Sequence, residues 1–393
     1  MHAHLESNFP AVTQQKGNGM SKVLLLGGFH PGQSLWSIRN GFQRIGCEVA
    51  YQPTRGCIAT RMEADIALAK EEADRIPDPS QWNLTCPDDE AFQQKLLERI
   101  GEEKPELLLW WFSKDDRPSG LIQQVRRKYP WCKTVTHTQD DPWDLLRNPE
   151  FSAEFEFAAT CCKESLAVYE SQGIKAIVLY PPPAHELHGA AQPVPQESCD
   201  FTLTVLSLYA REGGSDKEYL SSADLVQRIT HVIPFPDQRA LRQQVVAAIK
   251  DLGRIHIYGG LGFGTFEEIP RYAYRGFRGY EELPGIYAAA KINLNQHNSP
   301  QSHGYLNQRD TAITGSGGFM LTDYVEGIEE VFEIGKEIDT WNCLEELQDK
   351  AKWWLEHDNQ RKQAAARAQQ RILQDYGNEA YARKLIAFVQ NAK

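Results

Sequence analysis

From Val23 onward, the run Lys22-Val-Leu-Leu-Leu-Gly-Gly28 is apolar at every position and then stops in glycine. A strand wetted on one face alternates apolar with polar residues. A strand buried on both faces does not, so this run belongs inside a parallel sheet covered by helices on each side. The spacing predicts a helix from Ser34 to Gly46, with Leu35, Ile38, Phe42 and Ile45 on one face, and then a strand at Glu48-Val-Ala-Tyr51. Strand, glycine turn, helix and strand in such quick succession make a βαβ unit.

The same grammar recurs. Helices are expected at 60–76, 88–103, 118–129 and from Lys163 to Gln172, a buried strand at Glu106–Phe112, and further strands at Lys133–His137, Phe157–Cys161 and Ala176–Tyr180. Pro181-Pro-Pro183 and the polar stretch to Glu197 read as a linker. A second set comes after it: a strand at Phe201–Leu206, a helix at 237–252, a strand at Arg254–Tyr258 ending in Gly259-Gly-Leu-Gly-Phe-Gly264, strands at Lys291–Asn295 and Gly317–Thr322, and helices from Cys343 on. The expectation is an α/β chain of two Rossmann-like, doubly wound domains, with ligand between the carboxyl ends of facing sheets. The division is a flexible leader at 1–20, an N-terminal domain at 21–184, a linker at 185–198, a C-terminal domain at 199–370, and a helix at 371–393 crossing back to the N-terminal domain.

Charge narrows the function. With 42 basic and 53 acidic residues the net charge is −11, which disfavours a protein that grips nucleic acid through a basic surface. A local basic cleft built from Arg117, Arg126, Arg127 and Lys128 stays open. The eight cysteines form no Cys-x-x-Cys pair and read as reduced thiols, hence a cytoplasmic location, and no segment is apolar enough to span a membrane.

Neither glycine turn, Gly27-Gly-Phe-His-Pro-Gly32 nor Gly259–Gly264, has the register of a dinucleotide fingerprint, and no P-loop or esterase elbow occurs. A Rossmann oxidoreductase therefore loses ground. His185 and His188 lack a third ligand for zinc, and Asp140-Asp141 is contiguous rather than Asp-x-Asp, so the expectation is a metal-independent protein. The acidic segment Asp140–Asp144 follows a strand, where a carboxylate could hold a sugar hydroxyl or take its proton; helix capping and a proline turn are the alternative. Trp110, Trp111 and Trp143 would stack on a sugar or pack a core. The most informative segment runs from His303-Gly-Tyr-Leu-Asn-Gln-Arg-Asp310 to Gly317-Gly-Phe-Met-Leu-Thr-Asp-Tyr324. It sets one arginine, a planar fork for phosphate oxygens, on a short amphipathic helix before a buried strand; a surface salt bridge on an ordinary helix is the alternative.

That segment, together with Arg275-Gly-Phe-Arg-Gly-Tyr-Glu-Glu-Leu-Pro-Gly-Ile-Tyr-Ala-Ala-Ala-Lys-Ile-Asn-Leu-Asn295 and its continuation Val325-Glu-Gly-Ile-Glu-Glu-Val-Phe332 and Gly335-Lys-Glu337, resembles the glycosyltransferases related to the spore-maturation protein CgeB. Weaker echoes lie at Asp140-Asp-Pro-Trp143 and Tyr180-Pro-Pro-Pro-Ala184. The resemblance implies the two-domain GT-B fold and a nucleotide-sugar co-substrate, UDP-linked, with no separate cofactor. It implies a donor site from Tyr209, Arg211, Tyr258, Gly259, Asn307, Arg309, Asp323 and Glu326, with Arg309 on the diphosphate. It also implies an acceptor site from Gly28, Asp140 and Trp143, and His30 or Asp141 as general base. Two departures stand out: Ala312 and Gly304 occupy positions where related enzymes carry glutamates, so either another group such as Asp310 or Glu326 holds the ribose, or the donor differs from the usual, or activity has been lost. The alternatives are a transferase acting on modified DNA bases and a non-catalytic nucleotide-sugar-binding protein of the same fold.

Overall fold

The computed structural model describes residues 20–27, 34–53, 90–112, 119–138, 140–142, 144–145, 148–205, 244–259, 273–276, 278–297 and 302–392. Among them are two six-stranded sheets, every strand pair parallel. The first orders β1 (Lys22–Gly27), β2 (Glu48–Pro53), β3 (Leu107–Trp111), β4 (Lys133–Thr138), β5 (Phe157–Thr160) and β6 (Lys175–Val178) as β2-β1-β3-β4-β5-β6. The second orders β7 (Cys199–Val205), β8 (Ile255–Gly259), β9 (Tyr274–Gly276), β10 (Ala290–Asn295), β11 (Met320–Asp323) and β12 (Asp339–Trp341) as β12-β11-β10-β7-β8-β9.

The continuous apolar runs are explained by where alternate residues go. Val23, Leu25, Leu107 and Leu109 face a core shared with Leu35, Ile38 and Phe42 of α1 (Ser34–Arg44). Leu24, Leu26, Leu108 and Trp110 face the opposite core, with Phe92, Leu96 and Ile100 of α2 (Glu90–Glu103) and Leu121, Ile122 and Val125 of α3 (Leu121–Lys128). Burying both faces removes the polar half of the alternation. The glycine that ends β1 also has a steric cause: Gly27 sits at φ +140°, and a Cβ there would lie 2.9 Å from Cβ of Trp111.

Further along are α4 (Pro149–Ser152), α5 (Ser165–Ser171), a helical stretch at 244–249, α6 (Leu283–Ala289), α7 (Gln308–Gly315), α8 (Leu344–Glu356), α9 (Asp358–Asp375) and α10 (Asn378–Asn391). In the second sheet Phe201, Leu203, Ile257, Ile292 and Leu294 share a core with Val245, Val246, Ile249, Leu347 and Trp354. The other face of its centre carries Thr202, Thr204, Asn293 and Asn295, all buried. The last helix does not stay with the second sheet: Tyr381, Ala382, Leu385 and Val389 of α10 complete the core of the first, against α1.

The proline run and the polar stretch after it are packed. Thr311 Oγ1 donates to the Pro181 carbonyl at 2.5 Å, and the Val194 amide donates to the Gly285 carbonyl at 3.2 Å. The expected helix at 60–76, most of the leader and the glycine-rich turns beyond Gly27 and Gly259 lie outside the described residues.

Candidate active site

In an open parallel sheet the place where strand order reverses leaves a crevice at the carboxyl ends, because connections leave its two central strands in opposite directions. Here β7 is flanked by β8 and β10, so the crevice opens beyond Val205 and Asn295. Arg309 bridges it. Its Nε donates to Asn295 Oδ1 at 2.8 Å, Nη2 to the Gln296 carbonyl at 2.8 Å, and Nη1 to the Thr204 carbonyl at 3.3 Å. A guanidinium carries five N–H groups, so two remain for a ligand.

The start of α7 aims that side chain. Asn307 is the N-cap: its side chain accepts from the Arg309 amide at 2.8 Å, while Asp310 Oδ2 accepts from the Asn307 amide at 2.7 Å, a reciprocal capping box. The helix is not amphipathic as expected. Asp310 to Gly315 are all buried, because Pro183 and His188 lie against Gly315 on one side and Asn293, Tyr287 and Met320 close the sheet side.

Beneath Arg309 lies a charged cluster. His297 is fully buried, with Nδ1 2.7 Å from Asp323 Oδ1 and Nε2 3.0 Å from Asp310 Oδ2. Ionised carboxylates only accept, so both ring nitrogens carry hydrogen and the ring is an imidazolium. Burial opposes that charge, but Asp310 and Asp323 overcome it and push the His297 pKa up to about 10. Asp310 Oδ1 in turn accepts from Asn295 Nδ2 at 2.7 Å, which links the cluster to Arg309. Next to it the carboxamide of Gln296, only 2% exposed, has no partner among the described residues for either its oxygen or its nitrogen, and the buried Ser302 hydroxyl has none among them either.

The predicted donor residues therefore separate. Asn307, Arg309 and Asp323 come together at the switch point, with Asn307 and Asp323 holding backbone and His297 rather than facing solvent. Gly259 ends the neighbouring strand β8, its carbonyl accepting from the Tyr274 hydroxyl at 3.1 Å. Glu326 has an exposed side chain, and its carbonyl accepts from the Gly304 amide at 2.7 Å. Tyr258 is a correction: it is buried, its hydroxyl donates to Glu197 at 2.7 Å, and Arg278 lies 5.6 Å over its ring. It anchors the 3₁₀ turn Pro195–Glu197 to the second sheet, and Arg275 and Arg278 hold the same carboxylate. Asp310 is also withdrawn as a ribose ligand, since the cap, Asn295 and His297 take up its oxygens.

On the facing side Asp140 is half-buried, with the Tyr305 hydroxyl of the second sheet's unit 3.5 Å from its Oδ1. Asp141 is fully buried and accepts from Thr138 (2.5 Å), Thr160 (2.6 Å), the Tyr169 hydroxyl (3.0 Å) and the Leu145 amide (3.3 Å). Four donors and no exposed surface make it a tie between the ends of β4 and β5, not a base presented to a substrate. Trp110 and Trp111 are core residues: the first meets Phe151 edge-on at 5.3 Å, the second stacks on His137 at 4.3 Å.

The basic cluster is at the wrong end. A crossover helix runs back against its strands, so Arg126, Arg127 and Lys128 at the end of α3 lie by the amino ends of β4 and β5, beside Lys133 and Glu156, away from the carboxyl-end crevice. His185 and His188 bind separate backbone groups, the Leu373 carbonyl at 2.8 Å and the Ala184 amide at 3.0 Å. Among the described residues no group of three His, Cys, Asp or Glu side chains is placed to hold a metal ion. His30, Gly28, Trp143, Tyr209, Arg211 and Arg117 lie outside the described residues.

Comparison with known proteins adds to this geometry. Residues 238–387 match the family model described as glycosyl transferase-like, a stretch that includes Arg309, His297 and both of its carboxylates. A glycosyltransferase from Rickettsia africae is similar over 94% of this chain and 98% of its own, with TM-score 0.57 and 10% identity. Sucrose-phosphate synthase from Thermosynechococcus elongatus is similar over 95% and 99%, with TM-score 0.56 and 10% identity. The fold is GT-B. A third GT-B neighbour is Anabaena HepE in complex with UDP and glucose, similar over 94% of this chain and 99% of that one, with TM-score 0.52 and 12% identity. No curated protein sequence matches the chain. No helix among the described residues is long and apolar enough to cross a membrane.

Neither His297 nor Gln296 was singled out in the sequence. The signal present was the polar run Asn295-Gln296-His297 directly after a buried strand, at the carboxyl end where ligands of parallel sheets bind.

Proposed function

We infer that this chain is a glycosyltransferase, CgeB-like in its C-terminal motifs, that moves a sugar from a UDP-linked donor to an acceptor hydroxyl. The observation that carries the reading is Arg309, held across the switch point by three protein acceptors with two N–H groups left over. A diphosphate leaving group gains negative charge as the glycosidic bond to it breaks. A guanidinium already fixed in place stabilises that charge without reorganising at the moment of reaction. Arginine in this role fits a metal-independent transferase, since the cation is supplied by the chain. The side-chain amide of Gln296, unpartnered among the described residues while the residue's backbone carbonyl accepts from Arg309, is a polar group that a bound donor would satisfy.

HepE, similar in fold, was crystallised with UDP-glucose, which makes UDP the first nucleotide to test here. Arg211, Tyr209 and the amides after Gly259 would complete the donor site, and Glu326 is the carboxylate left to hold the ribose. Gly28, Asp140 and Trp143 would face the acceptor. With Asp141 tied up by four donors, His30 is the residue proposed as base if the reaction inverts configuration. The free thiols of the buried cysteines fit a cytoplasmic setting.

The test is calorimetry with UDP, UDP-glucose, UDP-N-acetylglucosamine and their GDP and ADP counterparts, followed by donor-hydrolysis assays with and without EDTA. Tight binding of one nucleotide-sugar, turnover that survives EDTA and loss of both in Arg309→Ala are expected. A protein that binds none of the panel is not this enzyme.

A further inference from the structure

Arginine is a long side chain with about 2 kcal/mol of rotamer entropy, so a fixed guanidinium needs acceptors that are themselves fixed. Two of its three acceptors are backbone carbonyls. The third, Asn295, could present either end of its amide. Its orientation is set because Nδ2 lies 2.7 Å from Asp310 Oδ1; turned over, the amide would put oxygen against the carboxylate and its NH₂ against the Arg309 Nε–H. Everything then depends on Asp310, a carboxylate with no exposed surface. A buried carboxylate draws in a cation, and Arg309 is the residue next to it in sequence. In this structure the cation it has is His297, 3.0 Å away and balanced on its other side by Asp323 at 2.7 Å.

We propose that His297 is a positioning residue: by satisfying Asp310 it fixes the Asn295 amide and leaves the Arg309 guanidinium at the switch point for the diphosphate of the ligand. The inference rests on the donor-binding reading of Arg309. It assigns the buried Asp323–His297–Asp310–Asn295 chain a task beyond holding β10, β11 and α7 together. Without the His297 ring, Arg309 turns inward to Asp310 and its two remaining N–H groups leave the crevice.

The experiment compares the nucleoside diphosphate that the wild type binds best, among UDP, GDP and ADP, with its own nucleoside, by calorimetry and competition. His297→Asn removes the donor to Asp310 and should weaken diphosphate binding about tenfold, the usual range for a charge-assisted hydrogen bond, with nucleoside binding unchanged. His297→Gln, which keeps an N–H near the Nε2 position, should recover part of that loss. In an Arg309→Ala background, His297→Asn should have no further effect. A merely structural role predicts equal losses for diphosphate and nucleoside, or additive losses with Arg309→Ala, and either result overturns the proposal. Unchanged diphosphate affinity in His297→Asn overturns it as well. Should the His297 variants fail to fold, Asn295→Ala breaks the same chain one link closer to Arg309 and must show the same diphosphate-selective loss; absence of that loss rejects the idea. If the wild type binds no nucleoside diphosphate, or Arg309→Ala binds it as well as the wild type, the donor reading itself fails.

Discussion

Gly41 lies inside α1, where replacing glycine by alanine ordinarily stabilises a helix by about 1 kcal/mol. The structure predicts the opposite sign. A Cβ at Gly41 would stand 2.1 Å from the Asn378 carbonyl oxygen and 2.5 Å from its carbon, both backbone atoms at the start of α10. A carbon and an oxygen do not approach closer than about 3.2 Å without strain, so the helices must part by roughly 1 Å, and a gap of that size forfeits between a quarter and a half of the dispersion energy of the contacts it opens. Tyr381, Ala382, Leu385 and Val389 reach the first core from α10. Overpacking costs about 1–3 kcal/mol; against backbone atoms that cannot swing aside the cost lies in the upper part of that range, about 2–3 kcal/mol, which outweighs the helix gain of about 1 kcal/mol and leaves a net loss near 1–2 kcal/mol. Thermal unfolding should show Tm lower by about 2–8 °C, and hydrogen exchange should rise in α10 before it rises in β1. Gly101→Ala in α2 is the contrast: its Cβ would meet the Tyr129 side chain, the hydroxyl at 2.9 Å and ring carbons at 3.4 and 3.5 Å, and no backbone atom nearer than these, so Tm should fall less. A Gly41→Ala protein with equal or higher Tm would refute the packing account of how α10 is held.

Other outcomes are set by buried polar groups. His137 is fully buried, which pushes its pKa down to about 3, so its contribution to stability is complete above about pH 6.5 and is lost as pH falls toward 3; Tyr381→Phe, which removes the hydroxyl 2.6 Å from Nδ1, should lower Tm at neutral pH, by about 1–3 kcal/mol in stability. His297 works in the opposite sense: with its pKa raised to about 10, its stabilisation is complete below pH 6.5 and lost as pH climbs toward 10, a loss that His297→Gln should remove from a denaturant-melt pH series. Gln296→Met replaces an amide without partners by an apolar chain of similar size, so Tm without ligand should rise by the equivalent of about 1 kcal/mol while donor affinity falls. Asp141→Asn turns an NH₂ toward hydroxyls that now donate, and should destabilise the first sheet by about 2–4 kcal/mol, read by urea melts.

What could be read in the sequence was what periodicity and glycine report: strands buried on both faces, the turns that end them, and two sheets built alike. Arg309 was legible because its segment carries a recognisable pattern, and its position at the switch point agrees with where such sheets bind ligands. Tyr258 and Asp141 were misjudged, and Trp110 and Trp111 left undecided between a sugar face and the core, for one reason. A residue near the carboxyl end of a strand points either to the crevice or into a core, and the partner that decides lies far away in sequence. For Tyr258 that partner is Glu197, 61 positions back; for Asp141 it is Tyr169, 28 positions on. His297 was missed likewise, its carboxylates lying 13 and 26 positions away. The basic residues of α3 failed differently, because composition says nothing about which end of a sheet a helix terminus reaches.

The dependence of the first sheet on α10 has a consequence for synthesis. Arg44 meets Glu379 across 335 positions, and β1, made long before α10, finds the last part of its cover only in Tyr381 to Val389. While the rest of the chain is being translated, the face of Leu25, Leu107 and Leu109 that α1 covers in part lacks the remainder of its lining. The second sheet is covered earlier, by Leu347 and Trp354 of α8 and Ala364 of α9. The first sheet then becomes whole only once α10 has been made, long after its own strands have emerged, and a chain cut short before Asn378 would leave a sticky, unfinished half beside a finished one.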